Sequence, residues 1–294
     1  MVIRSKGERV FGVCNVLMMV GALAIFIIPL WVVLATSFVG QSEAIQRSGS
    51  YFLYPNAVDL SAYRMLLSNG SKLYSAYGVT LFRLIVGTGA NLLFTVPLAY
   101  GLSKKDMPGR AGITMFVFFT MIFTGGMIPT YLLVVRTGLI NTLWSLIVPC
   151  LISTWNCMLM RNFFMAIPES LEESARIDGA STVGILVRIV LPLSKASIAT
   201  VGLFYAVRHW NSWFDAAMYI NDSQKYPVQI LLRTMVMSLS KMDINNEFIA
   251  GNVPPPSEGL KCAAIVTTTL PILALYPFVQ RYFVQGMLVG SVKG

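Results

Sequence analysis

Long apolar stretches alternate with short polar ones along the whole chain of 294 residues. The pattern predicts membrane-crossing helices over approximately 11–38, 75–102, 112–135, 142–165, 196–220 and 260–283. Each is long enough, because about 20 apolar residues rising about 1.5 Å apiece cross the hydrocarbon layer. None shows the period-two alternation of a membrane β-barrel. Pro29, Pro97, Pro129, Pro149 and Pro271 fall inside these runs, where neighbouring groups in a membrane bundle satisfy the carbonyls that proline frees. The first run is too long for a signal-peptide core and no small-residue cleavage pattern follows it, so it reads as an anchor. The expected fold is all-α: a polytopic membrane protein with six transmembrane helices, one unit over 1–294. Residues 39–74 and 221–259 form long loops on one side, and 167–195 forms a charged loop on the other.

Composition agrees. Hydrophobic residues make up 55% and charged residues 12%, with a mean hydropathy of +0.68; soluble domains carry about 25% charged residues. The net charge of +9 invites a nucleic-acid reading, but Lys and Arg sit between the apolar runs and form no stripe. They act as topology signals and contacts for anionic membrane lipid. Twelve of them fall on the side of the N-terminus, the 103–111 connection, the 161–195 region and the C-terminal end, against eight on the longer opposite loops. Both termini and the 167–195 loop are therefore expected on the cytoplasmic side of a multi-pass membrane protein. The outer loops 39–74 and 221–259, with Tyr51, Phe52, Tyr54, Pro55, Asn56 and the run Pro254–Pro256, suit either a partner's docking or plain connection.

Chemistry-bearing constellations are few. Cys14, Cys150, Cys157 and Cys262 lie in or beside apolar runs without Cys–x–x–Cys pairs, which predicts reduced packing cysteines and no metal site. His209 is the one histidine and has no ligand-spaced companions. No catalytic set emerges, and the chain contains no G-x-x-x-x-G-K-[ST] phosphate loop. The run Arg208, His209, Trp210, Asn211, Ser212, Trp213, Phe214, Asp215 places polar groups inside a predicted span, where such groups usually face a cavity or the bundle interior. On one continuous helix Arg208, Asn211, Ser212 and Asp215 share a face, flanked by Trp210 and Trp213, an arrangement suited to sugar rings. It suits equally a structural cluster with Arg208 paired to Asp215 or to a partner's carboxylate. Arg83, the other charge within a span, is placed to snorkel or to pair with a neighbouring helix; Asn91 beside Pro97 fits a bent pathway helix, or close packing at Gly87 and Gly89.

The loop 167–195 reads IPESLEESARIDGASTVGILVRIVLPLSK. Pro168 suits a first helical turn and Glu169 its positive end. Glu172 and Arg176 are spaced as a helical pair, Gly179 is a stop, and Ser181 or Thr182 caps a second short helix running to Leu191–Pro192. Physically this is a helix–Gly–helix lever or an ordinary interfacial hairpin. Its spacing is more specific. Glu173–Ser174–Ala175, three residues, Gly179, nine residues, then Ile189–Val190–Leu191–Pro192 resembles the E-A-A loop of ATP-binding-cassette (ABC) importer permeases. Ser174 departs from the usual alanine. The stretches Gly125–Tyr131, His209–Trp213 and Gln280–Gly294 resemble the sugar-importing branch, of MalG-like and LplC-like kind, and the resemblance covers nearly the whole chain.

That resemblance implies a type I ABC-importer transmembrane domain, not itself an enzyme. It binds no cofactor; ATP and Mg belong to separate ATPase subunits. The implied ATPase-coupling residues are Glu172, Glu173, Ser174, Ala175, Asp178, Gly179, Ala180, Ile189, Leu191 and Pro192. The implied partners are a second six-helix permease subunit, two ATPase subunits, an extracytoplasmic solute-binding protein and a sugar or oligosaccharide, extending to alginate or another acidic oligosaccharide if Arg208 faces the path. A permease for a non-sugar solute is the alternative. An ion-coupled carrier would need ionisable relays in several spans, and a membrane enzyme a catalytic set at a boundary; neither pattern is seen.

Overall fold

The computed structural model describes residues 6–40, 43, 54–68, 72–242 and 258–274; most of these are helical, with no strand among them. They divide into two units, Met1–Ser71 with Leu232–Pro271, and Lys72–Leu231 with Ile272–Gly294.

The first unit is led by α1 (Lys6–Thr36). Its apolar side chains are exposed on every side from Val10 to Trp31, as expected of a helix whose solvent is lipid. Its end is tied to α2 (Ser61–Leu66): the Ser37 and Tyr63 hydroxyls are 2.7 Å apart, and the Asp59 amide donates to the Phe38 carbonyl at 2.9 Å. A final described helix, 258–274, buries Cys262, Ala263, Ala264 and Thr268. The expected span 260–283 lies outside the described residues beyond 274.

The second unit is built on α3 (Lys72–Ser103), which contains a π-helical turn at Arg83–Gly87. Its C-terminal half packs Val96, Ala99, Tyr100 and Leu102 against Cys157, Met160 and Phe164, with Ile185, Val190, Val201 and Tyr205 completing the core. Tyr205 stitches three helices. Its hydroxyl lies 2.7 Å from that of Thr95 and accepts the Ser153 amide at 3.0 Å. At the end of α3 the Leu102 carbonyl, left without a helical donor, accepts from Nε of Arg161 at 2.9 Å and of Arg110 at 3.1 Å.

Among the described residues, α1, over Val10–Thr36, and α3 are the two unbroken helices long and apolar enough to cross a membrane; three further stretches there are bent helix pairs. This corrects the expectation of continuous helices. The stretch 112–135 is α4 (Arg110–Ile122) and α5 (Met127–Arg136), bent by 113°. Gly126 between them has φ of +89°, a conformation that only glycine adopts cheaply. The stretch 142–165 holds two 3₁₀ turns, Leu143–Leu146 and Val148–Cys150, and then α6 (Thr154–Met165) capped by Ser153, with a bend of 52°. Pro149 has no amide to donate, and at the break before α6 the Cys150 and Leu151 carbonyls accept from the Asn91 side chain. The loop 167–195 forms α7 (Glu169–Ile177) and α8 (Thr182–Leu193), and α9 (Lys195–Asn211) follows at 84° to α8. The expected helix 196–220 stops at Asn211, and α10 (Phe214–Tyr219) begins after a break. A helix α11 (Val228–Met242) follows within the long 221–259 loop, whose residues 243–257 lie outside those described.

Candidate functional site

Two polar assemblies stand out in the second unit, one on the 167–195 loop and one buried near the break after α9.

In the loop, Pro168 is the N-cap of α7, and Glu169 and Glu172 occupy its first turn. The helix closes in a Schellman motif. The Ala180 amide donates to the Ala175 carbonyl at 2.9 Å and the Gly179 amide to Arg176 at 3.0 Å, with Gly179 at φ +82°. Ser181 caps α8 by accepting the Gly184 amide at 3.1 Å. Of the loop residues singled out from sequence, Glu173, Ser174, Asp178, Gly179, Ala180 and Pro192 are exposed, and Ala175, Ile189 and Leu191 are half-buried against the core. Glu172 is different: it is buried, and faces Lys104 and Tyr100 at the C-terminal end of α3. Its carboxylate serves the internal packing of the loop. Ile177 and Val183 are 87% and 70% exposed at the tip, an apolar surface that the spacing argument did not include. Ser174, at the departing position, donates to the Ser170 carbonyl at 2.9 Å, so the helix accommodates it.

The break between α9 and α10 undoes the single polar face expected from 208 to 215. Asp215 turns inward and accepts bidentately from Arg83, with NH1 to Oδ1 at 3.1 Å and NH2 to Oδ2. Arg83 is only 2% exposed, so its charge needs this partner. The break supplies it: Ser212, freed from the helix, offers its carbonyl to Arg83, and its hydroxyl steadies Asp215 at 3.0 Å. Arg83 Nε also donates to His209 Nδ1 at 3.2 Å. A guanidinium can only donate, so Nδ1 is unprotonated and the imidazole hydrogen lies on Nε2. That nitrogen meets Asn91 Oδ1 at 2.7 Å, and the Asn91 amide donates to the Cys150 and Leu151 carbonyls, each at 2.7 Å. The relay thus runs from a carboxylate at one broken span to the freed carbonyls of another. Gly87 makes room for it: a Cβ there would lie 2.6 Å from His209 Nε2.

Of the residues expected along a substrate path, His209 and Trp210 are buried, Asp215 and Ser212 belong to this relay, and Trp213 packs on Val79, Leu146, Ala216, Ile220 and Ile230. Arg208 and Asn211 remain exposed, with Arg208 NH2 3.4 Å from the Cys150 sulfur. Sequence reasoning missed the Lys104–Lys105–Asp106 tripeptide as part of the loop assembly. Its charge order, complementary to Glu169, Glu172 and Arg176, was the available signal. Among the described residues no group of His, Cys, Asp and Glu could hold a metal.

Apolar helices with breaks and a helix–Gly–helix loop at the family spacing are consistent with a transporter's membrane subunit. No model of a known protein family matches the chain. Protein LplC of Bacillus subtilis is 48% identical over 290 residues, 99% of this chain and 97% of that one. The polygalacturonan/rhamnogalacturonan transport system permease protein YtcP of the same organism is 43% identical over 92% of this chain and 93% of its own. The crystal structure of a bacterial ABC transporter involved in import of the acidic polysaccharide alginate contains a chain that superposes with a TM-score of 0.86 at 29% identity, covering 96% of this chain and 100% of that one. The chain belongs to the permeases of ABC importers.

Proposed function

We propose that this chain is one of two paired permease subunits of an inner-membrane importer for sugar oligosaccharides, with acidic ones as the preferred class. A solute-binding protein delivers the substrate outside, and ATP bound with Mg on two separate ATPase subunits drives the cycle. The ATPase engages the outward stripe of α7 and its tip, Glu173, Ile177, Asp178 and Gly179, on the cytoplasmic side, where both termini also lie. The observation that carries this reading is the form of the 167–195 loop: a Schellman-closed helix with an exposed outer stripe at the family spacing. The acidic class is supported by the exposed Arg208 guanidinium, and by the relatives that carry alginate or polygalacturonan and rhamnogalacturonan in their names. Rocking of two such halves about a midplane site would give alternating access.

The test uses the assembled importer in proteoliposomes. Glu173→Ala is expected to weaken ATPase association and substrate-stimulated ATP turnover; wild-type values for both would remove the coupling reading. Arg208→Ala is expected to slow uptake of uronate oligosaccharides and spare neutral ones. Equal uptake of both by the variant and the parent would remove the acidic class.

A further inference from the structure

Three consecutive residues beyond α3 make ion pairs with three residues of α7. Lys104 reaches both carboxylate oxygens of Glu172 at 2.5 Å, Lys105 meets Glu169 at 2.7 Å, and Asp106 meets Arg176 at 3.4 Å. The signs complement at each position. Glu169, Glu172 and Arg176 are spaced i, i+3, i+7, which places them on one stripe of the helix. The two outer pairs are exposed and fix register more than they stabilise. The central pair is enclosed: Tyr100 donates its hydroxyl to Glu172 at 3.2 Å, the Tyr100 ring lies 4.5 Å from the Lys104 ammonium, and Phe164 packs edge-on against that ring. A buried pair with an added hydrogen bond and a cation–π contact is costly to open. A stripe of α7 about a quarter-turn away, with Glu173 and Ile177, is exposed.

We propose that α7 and the C-terminal end of α3 move as one rigid body through the transport cycle. Lys104 and Glu172 are the positioning residues that hold the partner-facing stripe of α7 in register with α3. The inference rests on the coupling reading above and says where the force goes next. A displacement imposed on α7 enters α3, a helix of 32 residues and about 48 Å. Arg83 lies farther along that same helix and grips Asp215 and His209 beside the broken end of α9. The motion thus reaches the break without a hinge at the lever.

Bridging the exposed pair tests this directly. A cleft of about 470 Å³ around Lys105 and Glu169 has room for a short bis-methanethiosulfonate linker between K105C and E169C, with the four native cysteines replaced by alanine. In the assembled importer, the bridged variant should take up oligosaccharide at the unbridged rate. Uptake abolished by the bridge and restored by dithiothreitol would overturn the proposal. Lys104→Met should lower the oligosaccharide imported per ATP hydrolysed by about tenfold, a typical size for a coupling between sites, and Lys104→Arg should restore most of it. A wild-type transport ratio in Lys104→Met would also overturn it. Glu173→Ala separates the two readings. If that variant binds and stimulates the ATPase normally, the coupling reading fails; if it is defective while the bridge blocks uptake, only the rigid-body inference fails.

Discussion

Replacing Asp215 by Ala strands a charge, and the structure sets the size of the effect. Arg83 is 2% exposed and would retain only His209 Nδ1 and the Ser212 carbonyl as partners, neither of them charged. Two unit charges about 4 Å apart attract by about 4 kcal/mol at an effective dielectric constant of about 20. Removing one member of a buried pair costs about 3–5 kcal/mol. Both routes give a loss of about 4 kcal/mol for Asp215→Ala. At roughly 2–4 °C per kcal/mol for a large domain, the melting midpoint should fall by about 8–16 °C. The double variant Arg83→Met, Asp215→Leu removes both charges and fills the space, so it should recover most of the loss. The assay is thermal unfolding of the purified chain in lipid nanodiscs, followed by circular dichroism. If the single and double variants melted together well below the parent, packing and not an unpaired charge would explain the loss. If Asp215→Ala melted with the parent, the pair would contribute nothing.

Gly87→Ala should displace the His209 ring, because its Cβ would sit 2.6 Å from Nε2. The loss of midpoint should be of the size that follows overpacking, about 1–3 kcal/mol, and an unchanged midpoint would refute the close approach. Nitrogen NMR of the single histidine should show the tautomer with hydrogen on Nε2; hydrogen on Nδ1 would contradict the relay. Gly179→Ala places a side chain at φ +82°, costing about 1–2 kcal/mol. The Gly179 and Ala180 amides should then exchange about 5–30-fold faster, and unchanged exchange would argue against the Schellman closure. The Lys105 ammonium, hydrogen-bonded to Glu169, holds that carboxyl below the usual carboxylate range. A depressed folded value stabilises above the unfolded one and is lost as pH falls through the folded value. The pair should therefore be intact at neutral pH and open only below the range of a free glutamate. A carbon NMR titration of Glu169 with an unshifted midpoint would refute it.

The sequence by itself determined the membrane class, the main apolar stretches and the local helix–Gly–helix form of 167–195. Apolar length and sparse charge leave no soluble alternative, and the turn chemistry of 167–195 is local: Gly179 and Ser181 act on amides within a few residues of themselves. Where the reading from sequence went astray, the deciding partners were distant. Arg83 and Asp215 are 132 residues apart and Lys104 and Glu172 are 68 apart, so nothing in either neighbourhood announces the other. The breaks before Thr154 and after Asn211 were hidden for a related reason. Apolar periodicity reports which residues avoid water, but a helix stops where its backbone groups find other partners. In the Asn91–Cys150 and Arg83–Ser212 contacts those partners come from another helix. Only the tertiary structure turned Glu172, His209 and Asp215 inward, because a buried charge or ring nitrogen takes its place from the groups that surround it in space.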